Sequence, residues 1–547
     1  MSVSQISMDS FTLAIISLIA ASAIVALGLV LHDAYLWSRL PRGPLPLPFV
    51  GNKFNIPKAK PWLQFEQWSK KYGPIFTIWI GRKPTLVLSD PQIAVDLMEK
   101  RSAKYSSRPR MVVMGEVYNG NSSILTQPYS KSWSIRRKLL HQALSPKALE
   151  LYKPTQEAEA ARLCYALLEN SAGWEKELER FTSSVVFCVA YGHRIDSLNA
   201  RVISDRFRFM HNMASLNIPG KYLAETFPLL AKLPNALAPW KRKVRAMGDE
   251  EARANLDLLQ MVKDDIAAAE ESGASEALPN SLCKLLLELR ESEYVSLSEK
   301  HFSYIPASLF GAGSDTTAST LCSAFLALVT HPHVLDTAQD ELDAVVGSER
   351  LPNFADKLAL PYMNALCKEV LRWRPVAVLG GTPHASTEND VYGGFHIPAG
   401  TTILGNSWAI NLNDEYYPQP HTFDPVRFLA DKDLTALGLA KQPYSGVKSH
   451  PSRSGHSSFG WGRRICPGAD LASNSLFIAL ASLLWAYDIL PCDGVTYDTF
   501  AYTEGFNIRP RSLRCMIRIR SSRHLEVVRK EQAKSLEWLE KFPSFED

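Results

Sequence analysis

Phe11 to Leu31 reads FTLAIISLIAASAIVALGLVL, an apolar run without a single charge. At about 1.5 Å per helical residue it just crosses a hydrocarbon core of ~30 Å, so the spacing predicts a transmembrane helix over residues 11–31. A cleaved signal peptide would place Lys or Arg ahead of a shorter apolar stretch. The ten residues before Phe11 carry one Asp and no Lys or Arg. Arg39, Arg42, Lys53, Lys58 and Lys60 follow the span. The positive-inside rule then puts residues 1–10 in the lumen and everything downstream in the cytosol.

Residues 32–60 read as a linker. Its segment PRGPLPLP, Pro41–Pro48, holds four prolines in eight residues, which fixes φ and removes backbone donors, so a stiff spacer is expected. Beyond it the composition is that of a globular protein, 46% hydrophobic and 21% charged. Lys and Arg number 60 against 56 Asp and Glu, a balance too even for a nucleic-acid partner. No two of the eight cysteines have CxxC spacing. A cytosolic body would keep them reduced and leave the Asn121-Ser-Ser sequon unglycosylated.

From Pro61 the periodicity predicts a helix to Tyr72, a hairpin of Ile75–Ile80 and Thr85–Leu88, and a helix opened by Asp90-Pro91. Most of residues 130–375 has a 3.6-residue period, so the fold class is mainly α with small β-sheets. Ser296-Leu-Ser-Glu299 has capping-box spacing and opens a helical pattern that reaches about Thr330. Its middle, Phe310-Gly-Ala-Gly-Ser-Asp-Thr-Thr317, is a poor helix interior, costing roughly 2–4 kcal/mol relative to alanine. Small residues there admit a close neighbour, and hydroxyls can redirect backbone hydrogen bonds.

Near the other end stands FGWGRRICPG, Phe459–Gly468, ahead of a second apolar helix. Cys466 lies in a glycine-rich loop at a helix start, where free N–H groups and the helix dipole favour a thiolate. With no other Cys or His at metal-ligand spacing, zinc is disfavoured, and a single axial ligand to a porphyrin iron fits better.

This segment has the form FxxGxRxCxG and resembles the cytochrome P-450 family of haem-thiolate monooxygenases. Glu369-Val-Leu-Arg372 is similar to the family's ExxR and Phe423-Asp-Pro-Val-Arg427-Phe to its PERF region, with Val426 where Glu is common. Trp133-Ser-Ile-Arg-Arg137 resembles its WxxxR, Ala312-Gly-Ser-Asp-Thr-Thr317 its AGxDTT, and His384 stands where a further propionate partner is common. The resemblance runs from the proline-rich linker to about residue 520. It implies a catalytic domain over 61–520, with residues 521–547 a charged surface helix outside it.

The resemblance implies haem b with Cys466 as axial thiolate and metal ligand. It makes Phe459 of the same loop a cofactor-binding residue, makes Trp133, Arg137, His384 and Arg464 propionate partners, and joins Glu369, Arg372 and Arg427 in a buried network supporting that loop. Asp315 and Thr316 would relay protons for oxygen activation, while the small residues of the long helix make room for dioxygen. No flavin or nicotinamide fingerprint is present, so electrons are expected from NADPH through a separate reductase, alone or together with cytochrome b5. Arg463 and Lys448 are candidate docking residues. The expected product is a hydroxylated, epoxidised or otherwise oxidised hydrophobic small molecule.

Val376, Ala377, Val378 and Leu379 offer an apolar wall for that molecule. The segments Pro219–Pro228 and Leu237–Lys241 are similar to those of membrane-bound filamentous-fungal members that tailor secondary metabolites. A single-pass protein of the endoplasmic reticulum membrane follows. A peroxide-dependent or isomerising relative, or a non-catalytic haem sensor or electron carrier, is the alternative. Asp315 and Thr316 are intact, which counts against the first, and a sensor or carrier has no use for an open distal face.

Overall fold

The apolar run belongs to one helix, Val3–Arg39, and the computed structural model describes residues 3–545 other than 217, 219, 294–296, 440–443 and 445. Its part from Phe11 to Arg39 is long and apolar enough to cross a membrane and is not buried by the rest of the chain. The helix outlasts the expected span because nothing after Leu31 breaks it before Pro41. Its end is fastened to the body: Asp33 takes a two-pronged ion pair from Arg82, at 2.7 and 2.8 Å, in the turn of the first hairpin.

The proline-rich stretch is clasped rather than free. Buried Asn52 donates to the Pro44 and Leu45 carbonyls and accepts from Trp79 N–H at 2.7 Å. The prolines have removed their own donors, and an asparagine side chain satisfies the carbonyls left over.

Among the described residues, eight strands form three small sheets. They are β1 (Ile75–Ile80), β2 (Lys83–Leu88), β3 (His384–Ala385), β4 (Asp390–Tyr392), β5 (Phe395–Ile397), β6 (Thr402–Gly405), β7 (Tyr487–Pro491) and β8 (Cys515–Ile519). The largest sheet has the order β1-β2-β6-β3, with β2 and β6 parallel and the other pairs antiparallel. The second strand starts two residues before the predicted Thr85. Pro84 is tolerated there because pairing with β6 begins only at Thr85. Asp90 caps the next helix as expected, accepting from Ile93 N–H at 2.9 Å.

Helices supply the bulk. The largest apolar cluster joins residues of Pro146–Glu169, Trp174–Tyr191, Glu299–Thr330, Pro361–Trp373 and Ala469–Ala486. Ala469–Ala486 is itself apolar enough to span a membrane, but it is mostly buried inside this cluster. A helix apolar on every side is a core helix when others surround it. The central helix Glu299–Thr330 is capped by Ser298, whose hydroxyl accepts from His301 N–H. Ser296, the predicted capping residue, lies outside the described residues, as does Pro219.

The C-terminal segment is more than a charged surface. In the helix Ser522–Leu539, Val527 and Val528 are buried in the main cluster, and Trp538 Nε1 donates to Thr155 Oγ1 at 3.2 Å. After it the chain pairs with Arg194, which donates to the Pro543 carbonyl at 3.0 Å while Phe545 N–H donates back at 2.9 Å. The Phe545 ring then lies 5.4 Å from Phe187, itself 5.1 Å from Phe310 of the central helix.

Candidate active site

The Cys466 loop is shaped by glycines and closed by its own backbone. Cys466 N–H donates to the Phe459 carbonyl at 2.8 Å, and a Cβ at Gly462, where φ is +55°, would collide with the Met98 carbonyl. The helix starts three residues later at Ala469. Burial is the largest influence on the Cys466 thiol and raises its pKa; the Gly468 N–H and the Arg137 charge oppose it and do not prevail. Loop dipoles alone therefore do not make the thiolate. A cation on the sulfur would, because a coordinating thiol is deprotonated by its metal.

Behind the loop lies a fully buried charge network. Glu369 and Arg372, one turn apart on Pro361–Trp373, form a two-pronged pair at 2.6 and 2.7 Å with no solvent exposure. Arg427 reaches the same carboxylate at 3.5 Å, and Asp424 N–H donates to it at 2.9 Å. Arg372 also donates to the Asn411 carbonyl at 3.0 Å. The Asn411 side chain in turn accepts from Ser457 N–H and donates to Ser458 Oγ, both at 2.9 Å. The network thus meets the chain at the residue immediately before Phe459.

In front of the loop three guanidiniums converge. Arg464 donates to the carbonyls of Ser106, Ile124 and Gln127, at 2.7, 3.3 and 2.8 Å, and stacks 4.0 Å over the Trp133 ring. Arg137 donates to the Ile465 carbonyl at 2.5 Å, and Arg108 to those of Leu125, Thr382 and Pro383. Among the described residues none of the three has an ion pair with a carboxylate. Burial, then the charges of Arg108 and Arg137, push the Arg464 guanidinium well below its ordinary range, and burial beside Arg137 does the same to Arg108. Such a cluster calls for a dianion. A haem, with two propionates for the cations and an iron for the sulfur, fits the residues present.

Trp133 and Arg137 share one face of the helix Lys131–Ala143, as their spacing predicted, although the indole N–H donates to the Ile124 carbonyl at 3.2 Å. His384 Nδ1 is 2.8 Å from the Tyr105 carbonyl. That bond requires the proton on Nδ1, so Nε2 is an acceptor while the ring is neutral. Burial and the charges of Arg108 and Arg464 bring its pKa down to about 3. An anion among these cations would favour the protonated ring, whose Nε2 then donates.

The central helix stays α-helical through its unfavourable middle. Hydroxyls of Ser308, Ser314, Thr316 and Thr320 donate to carbonyls four residues back, Thr316 to Ala312 at 2.7 Å. Both glycines are close approaches to protein and not openings: a Cβ at Gly311 would fall on the Arg206 guanidinium, and one at Gly313 on Val186. Ala312 between them is the exposed residue. Asp315 accepts from Asn507 Nδ2 at 2.9 Å and lies 3.6 Å from Arg509, which also pairs with Glu179.

Of the remaining expectations, Val376 and Val378 are buried while Ala377 and Leu379 are half-buried, and Val378 belongs to the largest apolar cluster. Arg463 donates to Tyr129 Oη at 2.6 Å and Lys448 pairs with Glu415 at 3.3 Å. Arg108 had no motif to reveal it.

A family model described as cytochrome P450 matches residues 41–515. Cytochrome P450 monooxygenase 58 of Postia placenta is 36% identical, with 90% of this chain and 92% of that protein covered. The cytochrome P450 monooxygenase polD of Polytolypa hystricis is 34% identical, with 93% and 96% covered. Among solved structures, a zebrafish cytochrome P450 determined with abiraterone is similar at 25% identity with a TM-score of 0.65, covering 84% of this chain and all of that one.

Proposed function

Because the chain belongs to the cytochrome P450 family of oxygen-using oxidoreductases, we propose that it is a membrane-anchored haem-thiolate monooxygenase that inserts one oxygen atom into a hydrophobic substrate of fungal secondary metabolism. The observation that carries this reading is the cluster of Arg108, Arg137 and Arg464 around the Cys466 loop, with no ion pair to a carboxylate among the described residues. Thiolate-ligated haem supplies activation of dioxygen. The residues around it bind, orient and deliver protons. Arg464 and Arg137 hold the propionates, assisted by Arg108 and by His384 once protonated. Glu369, Arg372 and Arg427 fix the loop that carries the sulfur.

Thr316 spends its hydroxyl hydrogen on the Ala312 carbonyl, which leaves the oxygen's lone pairs to accept. It therefore positions a water, and that water passes on the proton, with Asp315 behind it in the relay. Thr316→Ala is expected to keep NADPH and oxygen consumption within about three-fold while product falls by at least ~10-fold and hydrogen peroxide rises. Unchanged coupling would remove Thr316 from the relay.

Electrons come from NADPH through a separate reductase, with cytochrome b5 as an additional donor, and Arg463 and Lys448 belong to the docking face. Relatives matched over nine-tenths of the chain are fungal monooxygenases, which supports the metabolic setting. The decisive experiment is co-expression with a reductase, feeding of candidate metabolites and mass spectrometry for products gaining one oxygen. No NADPH-dependent product and no thiolate-type carbon-monoxide spectrum would defeat the reading.

The proposed location is the endoplasmic reticulum membrane with the body in the cytosol. Protease added to sealed microsomes should then cut the body and spare the segment before Phe11. Exposed Leu223, Phe227, Leu229 and Leu237 give the body an apolar surface of its own. Deletion of residues 1–31 is therefore expected to weaken membrane retention without abolishing it, as read by salt and alkaline washes.

A further inference from the structure

The end of the chain is tied to the root of the helix that crosses over the central one. That crossing helix, Arg201–Leu216, arrives beside exposed Ala312. Its Arg206 guanidinium rests on the backbone at Gly311 and lies 3.8 Å from Glu251 of the helix Pro239–Glu271. Of its 16 residues only Val202, Ile203, Phe209 and Leu216 are buried. A helix so thinly packed opens at lower cost than the core, by rotation about one end. Its first end is the loop that leaves Gly192, where φ is +80° and the helix Trp174–Tyr191 stops, and runs to Ala200.

The last residues of the chain grip this loop. Arg194 N–H donates to the Pro543 carbonyl at 3.0 Å, its carbonyl accepts from Phe545 N–H at 2.9 Å, and its guanidinium donates to the Leu539 carbonyl at 2.8 Å. Ser544 Oγ donates to Asp196 at 2.6 Å, and the same carboxylate pairs with Arg162 and Arg194 at 2.7 and 3.1 Å. The Phe545 ring, together with Leu198 and Ala200 of the loop, packs on an apolar cluster that contains Phe187, Val202, Ile203 and Phe310. One cluster therefore joins the end of the chain, the first turn of the crossing helix and the turn of the central helix that leads into Ala312. The haem cradle and the proton relay use none of these groups.

We propose that Phe542–Phe545 is a tether on the hinge of the crossing helix, with Phe545 as its positioning residue. A hinge works by changing φ and ψ at a few residues. Here the backbone of Arg194 and the side chain of Asp196 are both held by the tail, so the change is opposed where it would have to occur. The crossing helix then stays down on Gly311, and bulky molecules reach the face at Ala312 and Thr316 slowly. The inference rests on the proposed function, which puts the reacting centre below that face.

The test is stopped-flow binding to the full, haem-loaded chain in detergent, with 4-phenylimidazole as a bulky iron ligand and carbon monoxide as a small one. Two variants are compared with wild type: Phe545→Ala, and a chain ended at Glu540. In both, the association and dissociation rates of 4-phenylimidazole are expected to rise at least ~5-fold with affinity within about three-fold. Carbon monoxide association should move by less than about two-fold, because a diatomic needs no such opening. Hydrogen exchange should quicken over residues 192–216 and stay unchanged over Pro361–Trp373. Phe545→Leu keeps an apolar side chain and should restore the wild-type rates. Unchanged 4-phenylimidazole rates overturn the proposal. So does faster exchange that spreads to Pro361–Trp373, or a carbon monoxide rate that rises as much as that of the bulky ligand, since the tail would then be a general strut. If the shortened chain does not fold, Phe545→Ala decides. Hydrogen exchange reads the tether without haem, so a spectrum lacking thiolate ligation defeats the parent reading alone, while a normal spectrum with unchanged exchange over residues 192–216 defeats the tether alone.

Discussion

Cys466→Ala is expected to give a folded protein whose reduced carbon-monoxide complex has lost the strongly red-shifted band of thiolate ligation, and whose product formation is undetectable. The loop geometry depends on backbone: Cys466 donates through its N–H to Phe459, and alanine keeps that bond. Melting temperature of the haem-free protein should change little, because alanine keeps the backbone bonds of the loop and removing one sulfur leaves a small cavity at most. A persistent red-shifted band would show that another group holds the metal. The direction of the thiol's pKa adds a second readout. Burial keeps the metal-free sulfur protonated to higher pH than an ordinary cysteine, whereas the ligand form is a thiolate. Loading therefore releases a proton, and haem affinity of the metal-free wild type should rise with pH up to the raised thiol pKa. In Cys466→Ala that part of the pH dependence should vanish.

Arg372→Met is expected to produce the largest loss of stability of any single change considered. It leaves the unexposed Glu369 carboxylate with only Arg427 at 3.5 Å and one backbone N–H. Stranding a buried charge in this way costs about 3–5 kcal/mol. The Asn411 and Pro420 carbonyls lose their donor as well, which loosens the approach to the cysteine loop. For a chain of this size the practical measure is the rate of irreversible inactivation together with haem retention on heating. The paired change Glu369→Met with Arg372→Met removes both charges and should recover part of the loss. If the single variant were no worse than the double, the cost would lie in packing and not in the uncompensated carboxylate.

Local signals in the chain carried over into space better than distant ones. Glu369 and Arg372 are three residues apart on a helix, so their pairing follows from helical geometry, and Trp133 and Arg137 follow at four. The cysteine loop was legible because its glycines, arginine and helix start are contiguous. Arg108 was not, since its meaning depends on Arg464, hundreds of residues away, and on the absence of a carboxylate between them. The same holds for Arg206 with Glu251. The glycines of the central helix were recognised as close approaches, but the neighbours proved to be Arg206 and Val186, with Ala312 left open. Sequence cannot say which side of a helix a small residue serves until the crossing elements are placed. The buried stripe of the C-terminal helix was hidden for a related reason. His524, Val527, Val528, Ser535 and Leu539 form its buried stripe, yet a stripe that thin is hidden among Arg, Lys and Glu.

That docked C-terminus has a bearing on how the chain is made. Val527 and Val528 complete the same apolar cluster that includes Trp62 and Phe325, each contributing about 1.5–3 kcal/mol when fully covered. Synthesis proceeds from the other end, so the helix Ser522–Leu539 emerges only after the other elements of the cluster it closes. Until that helix has emerged, the nascent polypeptide carries an unsealed seam along Pro146–Glu169, and chaperone occupancy should concentrate there. A premature stop after residue 520 would make that vulnerable interval permanent.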